Sequence, residues 1–374
     1  MSLQPLTIAI VGCGQFAEEH VKEIRKICGV EVVAVCDREP LMAEQLAERH
    51  RIPRQYASLE AMYAEITPDV AHITTPPQTH LQLGRYACEH GSHIYVEKPF
   101  TVNYNEAFEL VKAAEACGRK VTVGHIYHFD PPIMKMRQLV AQGVLGEPVH
   151  VEALMGYSLE GSFGKAFVNN RNHWIYSLPG QLFQNIISHL VYKVLEFLPD
   201  ETPTVQVYAA LRNRTLRERN VDLLDELRVI LSGRNVTAYL TFSASLSPTL
   251  SLLRVYGTKS TIEVDLNCRH VIVRPGKQLP TAIGKLAAGL DLTCQQQRNV
   301  WRNFNAFLRS EFQFTAGMNQ LLRLFYASIQ DNSALPIPYE DILRTTRAMD
   351  LIFEQLPTSQ LPPLQRSHFH DLAE

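Results

Sequence analysis

Thr7-Ile8-Ala9-Ile10-Val11-Gly12-Cys13-Gly14-Gln15-Phe16-Ala17 decides the reading of this chain. A short apolar run with the composition of a buried strand passes directly into Gly-x-Gly-x-x-Ala, and a helical stretch follows. Gly12 allows the tight turn, and Gly14 lets a pyrophosphate approach the backbone beside Gln15 and Phe16. Ala17 lets the helix pack closely on the strand, so the diphosphate sits at the positive helix N-terminus. The second apolar run ends in Asp37, close to the spacing of about 20 residues expected of the ribose carboxylate. A carboxylate there accepts from the ribose hydroxyls and repels a 2′-phosphate, which favours NAD. The neighbouring Arg38 would serve a 2′-phosphate and keeps NADP open.

The first 125 residues alternate short β-branched runs (Thr7–Val11, Val32–Cys36, Val70–Thr74, His93–Val96, Val121–Val123) with helical stretches (Glu18–Ile27, Leu41–His50, Leu59–Ile66, Leu81–His90, Tyr104–Cys117). That rhythm predicts right-handed βαβ units and a doubly wound parallel sheet, a Rossmann domain over residues 1–124. A helix at Pro132–Gln142 follows, and then the rhythm changes. Val149–Leu159, Thr204–Thr215, Asp225–Ser232, Val236–Leu246, Leu252–Tyr256, Thr261–Asp265 and His270–Arg274 read as strands joined by tight turns. Residues 125–374 are therefore expected to form an α/β domain with an open, mostly antiparallel sheet for substrate binding and oligomerisation. Its helices are placed at Leu182–Phe197, Met318–Ile329 and Tyr339–Leu356. The stretch Pro275–Gly317 permits one or two helices, as a lid or a subunit contact.

The formal charge of −2 argues against nucleic acid or an anionic membrane as partner, since either asks for a basic surplus. No apolar run approaches the roughly 20 residues of a membrane span. The first strand begins too early to leave room for a signal peptide. Seven cysteines, an odd number without CxxC pairing, fit reduced thiols. A cytoplasmic enzyme with a small-molecule substrate is expected. An apolar open sheet face would need a cover, so a homo-oligomer, dimer or tetramer, is expected too.

Three segments together resemble the Gfo/Idh/MocA oxidoreductases, the glucose–fructose oxidoreductase and inositol dehydrogenase group. They are the Gly loop, the segment Thr75-Pro76-Pro77-Gln78-Thr79-His80, and Glu97-Lys98-Pro99 closing a strand. The resemblance covers nearly the whole chain, and Glu-Lys-Pro is its most specific mark. Lys98 carries a physical reading of its own. It stands at the C-terminal end of a parallel strand, where open α/β sheets bind ligands, and an ammonium there stabilises a developing alkoxide. Preceding a proline, it is restricted to extended backbone. The resemblance further implies that this lysine lies close to the nicotinamide, with an unusual Lys–Pro peptide, that Glu97 and Pro99 position it, and that Thr75, Pro76 and His80 border the cofactor. His125 and His128, flanking Tyr127, suggest a metal pair at first glance, but no third ligand stands at a telling spacing. The family's Arg or Asn in this stretch faces substrate, so His125, Tyr127 and His128 are substrate-site candidates and no metal is expected.

The second signature is Pro179-Gly180-Gln181-Leu182-Phe183-Gln184-Asn185-Ile186-Ile187-Ser188-His189. It is similar to the family's Gly-rich entry to a helix carrying Asp and His four residues apart, which share one helix face. Here the Asp position is Asn185, His189 is kept, and the Gly triplet is reduced to Gly180. His189 is the candidate proton acceptor; Asn185 does not titrate but can orient a hydroxyl. The expected reaction is hydride transfer between nicotinamide and a secondary alcohol of a sugar, cyclitol or related polyol, with Lys98 steadying the oxygen. Two rivals share these features: an NAD-dependent lyase, epimerase or glycosidase using transient oxidation, and a non-enzymatic NAD-binding sensor.

Overall fold

The computed structural model describes residues 5–219, 221–276, 281–309, 312–313 and 315–357. The outer ends of the two expected domains, and residues 277–280, 310, 311 and 314 of the stretch 275–317, lie outside the described residues. The first half runs β1 (Leu6–Val11), α1 (Gln15–Ile24), β2 (Val30–Cys36), α2 (Pro40–His50), β3 (Arg54–Tyr56), α3 (Leu59–Glu65), β4 (Val70–Ile73), α4 (His80–Glu89), β5 (His93–Val96), α5 (Tyr104–Ala116) and β6 (Val121–Val123). Its six strands pair in parallel in the order β3-β2-β1-β4-β5-β6. Ile8, Ala9 and Ile10 are fully buried, as expected for a strand covered by helices on both faces. The order reverses between β1 and β4, which opens the crevice where such sheets take ligands. Strand β3 was not expected from the sequence, because Arg54-Gln55-Tyr56 is a short polar edge segment with little apolar signal.

The second half holds α6 (Pro131–Ala141), β7 (Pro148–Ser158), α7 (Ser162–Val168), α8 (Gln181–Ile186), α9 (Ser188–Leu195), β8 (Thr204–Ala210), α10 (Arg214–Glu218), β9 (Glu226–Ser232), β10 (Thr237–Ser243), β11 (Ser245–Gly257), β12 (Ser260–Asp265), β13 (His270–Pro275), α11 (Thr281–Leu308), α12 (Ala316–Gln330) and α13 (Tyr339–Phe353). The sheet order is β13-β12-β11-β7-β10-β9-β8; β7 and β10 are parallel and every other pair is antiparallel. Two expectations change. The run Thr204–Thr215 stops as a strand at Ala210, because Asn213 accepts the Leu216 N–H at 3.1 Å and caps a short helix. The helix expected over Leu182–Phe197 is two helices that meet at Ile187.

Helices α6, α9 and α13 pack on one face of this sheet. The opposite face mixes charged and apolar side chains: Tyr239 and Ile230 stand opposite each other there, 48% and 36% exposed, and Tyr208 beside them is 53% exposed. Arg254 stands between Glu152 at 3.8 Å and Glu263 at 3.7 Å, Arg228 pairs with Glu226, and Tyr256 donates to Glu152 at 2.9 Å. The charged pairs suit water, whereas Tyr208, Ile230 and Tyr239 leave apolar surface on the same face.

The chain then returns to the first sheet. Met318, Leu321, Leu322, Phe325 and Tyr326 of α12 join the Rossmann core, while α13 buries Ile342 there and Met349 and Ile352 in the second core. Helix α12 lies against the turn at Ile126–Phe129 so closely that a Cβ on Gly317 would stand 2.3 Å from the Ile126 carbonyl oxygen. Gly317→Ala forces backbone to move, so it should cost about 2 kcal/mol of unfolding free energy by denaturant titration. An unchanged midpoint would show that the contact is soft.

Candidate functional site at the crevice of the first sheet

At the end of β1, Gly12 has φ +95°, and a Cβ there would lie 2.6 Å from Thr75 Cγ2 and 2.9 Å from the Thr75 nitrogen. Only glycine fits between the two loops. A Cβ at Gly14 would meet nothing within 4 Å, so the loop presents open backbone at the start of α1. Ala17 is fully buried against the sheet, and Gln15 and Phe16 are exposed at the rim. The Asp37 carboxylate receives the Cys13 N–H at 2.6 Å and the Glu39 N–H at 2.9 Å. It is thereby tied to the Gly loop and keeps acceptor capacity for ribose hydroxyls. Arg38 reaches into solvent beside Glu39, 3.9 Å away. Burial, with Asp37 adding to it, pushes the Cys13 and Cys36 thiols up to about 12, so neither supplies a thiolate.

Residues expected to border the cofactor divide into two layers. Thr75 and Pro76 line the loop facing Gly12, where the Thr75 and Thr79 hydroxyls bond at 2.7 Å. His80 lies behind them, fully buried. Its Nε2 is 2.8 Å from the Thr75 carbonyl, and its Nδ1 is 3.1 Å from those of Pro99 and Phe100. Burial lowers its pKa while these carbonyls oppose the shift. A neutral ring donates to one of the two loops only, but both nitrogens face backbone carbonyls and neither is turned to a cofactor.

Glu97 is also held from behind. Its Oε1 lies 2.9 Å from His20 Nε2, His20 Nδ1 lies 2.8 Å from His72 Nδ1, and His72 Nε2 lies 2.8 Å from the Tyr326 hydroxyl. One donor–acceptor assignment satisfies every member. Tyr326 donates to His72, His72 donates to His20, and His20 donates to the carboxylate. Burial favours the protonated acid, but the His20 hydrogen bond and the Lys98 charge outweigh it and hold Glu97 below the usual carboxylate range. The other oxygen accepts the Lys98 N–H at 3.2 Å. His20, His72 and Tyr326 were not foreseen from the sequence; their signal was only three polar residues at apolar positions of separate elements.

The Lys98–Pro99 peptide is cis. Lys98 Nζ donates to the Asn185 carbonyl at 3.1 Å and to Asn185 Oδ1 at 3.4 Å, and stands 5.6 Å from the centre of the Phe16 ring. Burial lowers the ammonium's pKa, and Glu97 pulls it back. Asn185 thus faces Lys98, four residues before His189 on a stretch whose backbone stays helical through Ile187 (φ −72°, ψ −14°). His189 lies on α9 with Nδ1 3.1 Å from the Tyr192 hydroxyl and its ring edge-on to Tyr127 at 4.8 Å. Burial pushes its pKa well down, and Lys98, Lys193 and His125 add to the effect.

Lys193, one turn beyond His189 on the same face, was missed. It is fully buried, lies 5.4 Å from the Tyr127 ring centre, and has no hydrogen-bond partner for Nζ among the described residues. Burial brings it down to about 7, against the pull of Asp130. The i, i+4 spacing from His189 was the available signal. His125 stacks on Tyr192 at 4.3 Å, and burial lowers it to about 3. His128 Nδ1 faces the Arg137 guanidinium, which also binds Glu196, and the His128 ring lies 4.5 Å from that of Tyr192.

A parallel sheet of this order, with a glycine turn after its first strand and a carboxylate after its second, defines a dinucleotide-binding Rossmann protein. Residues 6–125 match an oxidoreductase family with an NAD-binding Rossmann fold, and residues 133–263 match the GFO/IDH/MocA C-terminal domain. The chain belongs to the Gfo/Idh/MocA oxidoreductase family. It is 31% identical to D-glucoside 3-dehydrogenase of Escherichia coli over 39% of this chain and 42% of that protein. It is also 31% identical to inositol 2-dehydrogenase 4 of Saccharopolyspora erythraea, over 40% of this chain and 45% of the other. The matches thus span less than half the length of these curated relatives. The WlbA dehydrogenase of Bordetella pertussis, solved with NADH and UDP-GlcNAcA, shares the fold at a TM-score of 0.73 and 17% identity. That likeness covers 95% of this chain and 100% of the other.

His72, His125, His128 and His189 all have pKa values driven down by burial. Unfolding returns them to about 6.5, so below that pH the unfolded chain binds more protons and stability falls as pH falls. Above about 6.5 they contribute no slope. One unit below it, each such ring should cost about 1.4 kcal/mol. Denaturant titrations at pH 7.5 and 5.5 check this; equal stability at the two pH values would contradict neutral burial.

Proposed function

We propose that the protein is an NAD-dependent dehydrogenase acting on a secondary alcohol of a sugar, cyclitol or related polyol. The observation that carries this reading is the convergence of Lys98, Asn185 and the α9 histidine beside the Gly12–Ala17 loop. The names of the curated relatives support the substrate class. A carboxylate at Asp37 favours NAD over NADP. The free state of all seven cysteines fits a reducing compartment, and a cytoplasmic location is part of the proposal.

NAD, when bound, supplies the hydride acceptor. The chain does the rest. Lys98, set by Glu97 and Asn185, donates to the substrate hydroxyl oxygen and stabilises negative charge as it develops. His189 gives its Nδ1–H to the Tyr192 oxygen, which leaves Nε2 free to take the hydroxyl proton. Its depressed pKa keeps the ring unprotonated at neutral pH. Tyr127 and Lys193 shield that ring from water. His80 and Glu97 act by fixing loops.

Lys98→Met removes the donor and keeps a flexible side chain. NAD affinity by fluorescence titration should stay within a few-fold, while turnover on a panel of polyols falls by roughly 10²-fold or more. Near-normal turnover would remove Lys98 from the chemistry, and turnover absent from the unmodified protein across the panel would favour an NAD-binding sensor.

Asn185→Asp places a carboxylate against Lys98 and within the field of His189. Negative charge favours the imidazolium, so the pKa of His189 rises, and a base that must be unprotonated then needs a higher pH. The acidic limb of the kcat/KM profile for oxidation should move upward, and His189→Ala should abolish that limb. A profile unmoved by the aspartate, together with an active alanine variant, would make this helix face structural.

A further inference from the structure

Helix α11 packs with its polar side inward. Gln295 receives the Val273 N–H at 2.8 Å and donates to the Val273 carbonyl at 2.9 Å. Asn299 spans the N–H and C=O of Val271 at 3.4 and 3.1 Å, and Asn303 donates to the Cys268 carbonyl at 2.7 Å. These amides satisfy the open edge of β13 as another strand would. The apolar side of the helix is consequently turned out. Ile283, Leu286, Leu290, Val300, Phe304 and Phe307 are 50–69% exposed, and Trp301 and Leu308 beside them are 66% and 65% exposed.

The spacing of that side is 3.5 residues. Ile283, Leu290, Gln297 and Phe304 occupy one heptad position, and Leu286, Thr293, Val300 and Phe307 the other. A strict two-position seam over four heptads is the pattern of a helix that meets another helix. We propose that α11 pairs with α11 of a second copy of this chain, antiparallel, about a two-fold axis level with residue 295. Reversing one helix sets the first heptad position against the second. Ile283 then meets Phe307 of the copy, Leu286 meets Phe304, Leu290 meets Val300, and Thr293 meets Gln297. Every apolar residue finds an apolar partner, and the two polar layers fall together at the axis, where they fix register. In-register parallel pairing would also match like with like, but it would set the Phe304 and Phe307 pairs at one end of the seam and Ile283 and Leu286 at the other. The antiparallel arrangement gives both ends a large–small complement. The side chains along the seam expose on the order of 900 Å² per chain, against about 800 Å² per partner in a standard stable interface. Lipid is a poorer occupant, because Thr293 and Gln297 interrupt the middle of the apolar face.

The full chain, sedimented at tens of micromolar, should have a mass that is an even multiple of one protomer. Leu290→Glu with Phe304→Glu should halve that mass and leave NAD affinity and far-UV circular dichroism unchanged. Cys294, exposed beside the seam, falls next to the axis, so a short bismaleimide should join two unmodified chains through it, and Cys294→Ser should abolish the dimer band. The crosslink decides even where the charged variant fails to fold. A monomeric wild type, an unchanged mass in a folded charged variant, or a crosslink independent of Cys294 would overturn the pairing. So would a monomer that sediments with phosphatidylcholine–phosphatidylglycerol vesicles, which would give the seam to lipid.

Discussion

The buried Glu97 carboxylate is the point on which the site depends. A charge at that depth persists only with donors in place. Its donors come from α1 through His20 and from its own chain through the Lys98 N–H, with β4 and α12 behind His20 through His72 and Tyr326. The elements that form the dinucleotide loop, the sheet and the returning C-terminal helix thus meet in one chain of hydrogen bonds that ends beside the lysine. A shift of α12 would be felt at Lys98 through three side chains and no solvent. Close approach enforces the same geometry at Gly124, where a Cβ would lie 2.9 Å from Glu97 Oε1.

The second constraint is electrostatic. Lys98 and Lys193 both act on His189, and the position that would answer them with a carboxylate holds Asn185, whose amide oxygen and carbonyl are already given to Lys98. The result is a site in which the histidine is held neutral and the lysine is held still. In alcohol oxidation a weak base is acceptable where the oxyanion is well stabilised, because the donor lowers the hydroxyl's own proton affinity. On the proposed reaction, an amide in place of the family's acid moves the burden from the histidine to the lysine.

Much of this was legible in the sequence, for identifiable reasons. The Gly12–Ala17 turn and Asp37 could be placed because strand, turn and acid follow one another within a single βαβ unit, where spacing along the chain is spacing in space. Lys98 was legible because it closes a strand. The His20–His72–Tyr326 relay was not, since its members lie on α1, β4 and α12 and only tertiary packing brings them together. The Asn185–His189 pair was half legible. Periodicity placed both on one helical stretch, but the approach of Lys98 to Asn185 joins residues 87 apart in sequence, and only tertiary packing shows it.

Helix α11 shows a different limit. A period of 3.5 or 3.6 reveals that a helix has two faces but not which one turns inward, and the usual expectation puts the apolar face against the core. Here the neighbour is the raw edge of β13, whose unpaired N–H and C=O groups are better answered by Gln295 and Asn299 than by leucine. Once the polar face is committed to that edge, the apolar face has no place inside the protomer. The broad face of the sheet meanwhile mixes the Arg254, Glu152 and Glu263 pairs with exposed Tyr208, Ile230 and Tyr239. The seam of α11 is thus a candidate surface for association in addition to the sheet face, and its heptad order can specify one partner and one direction.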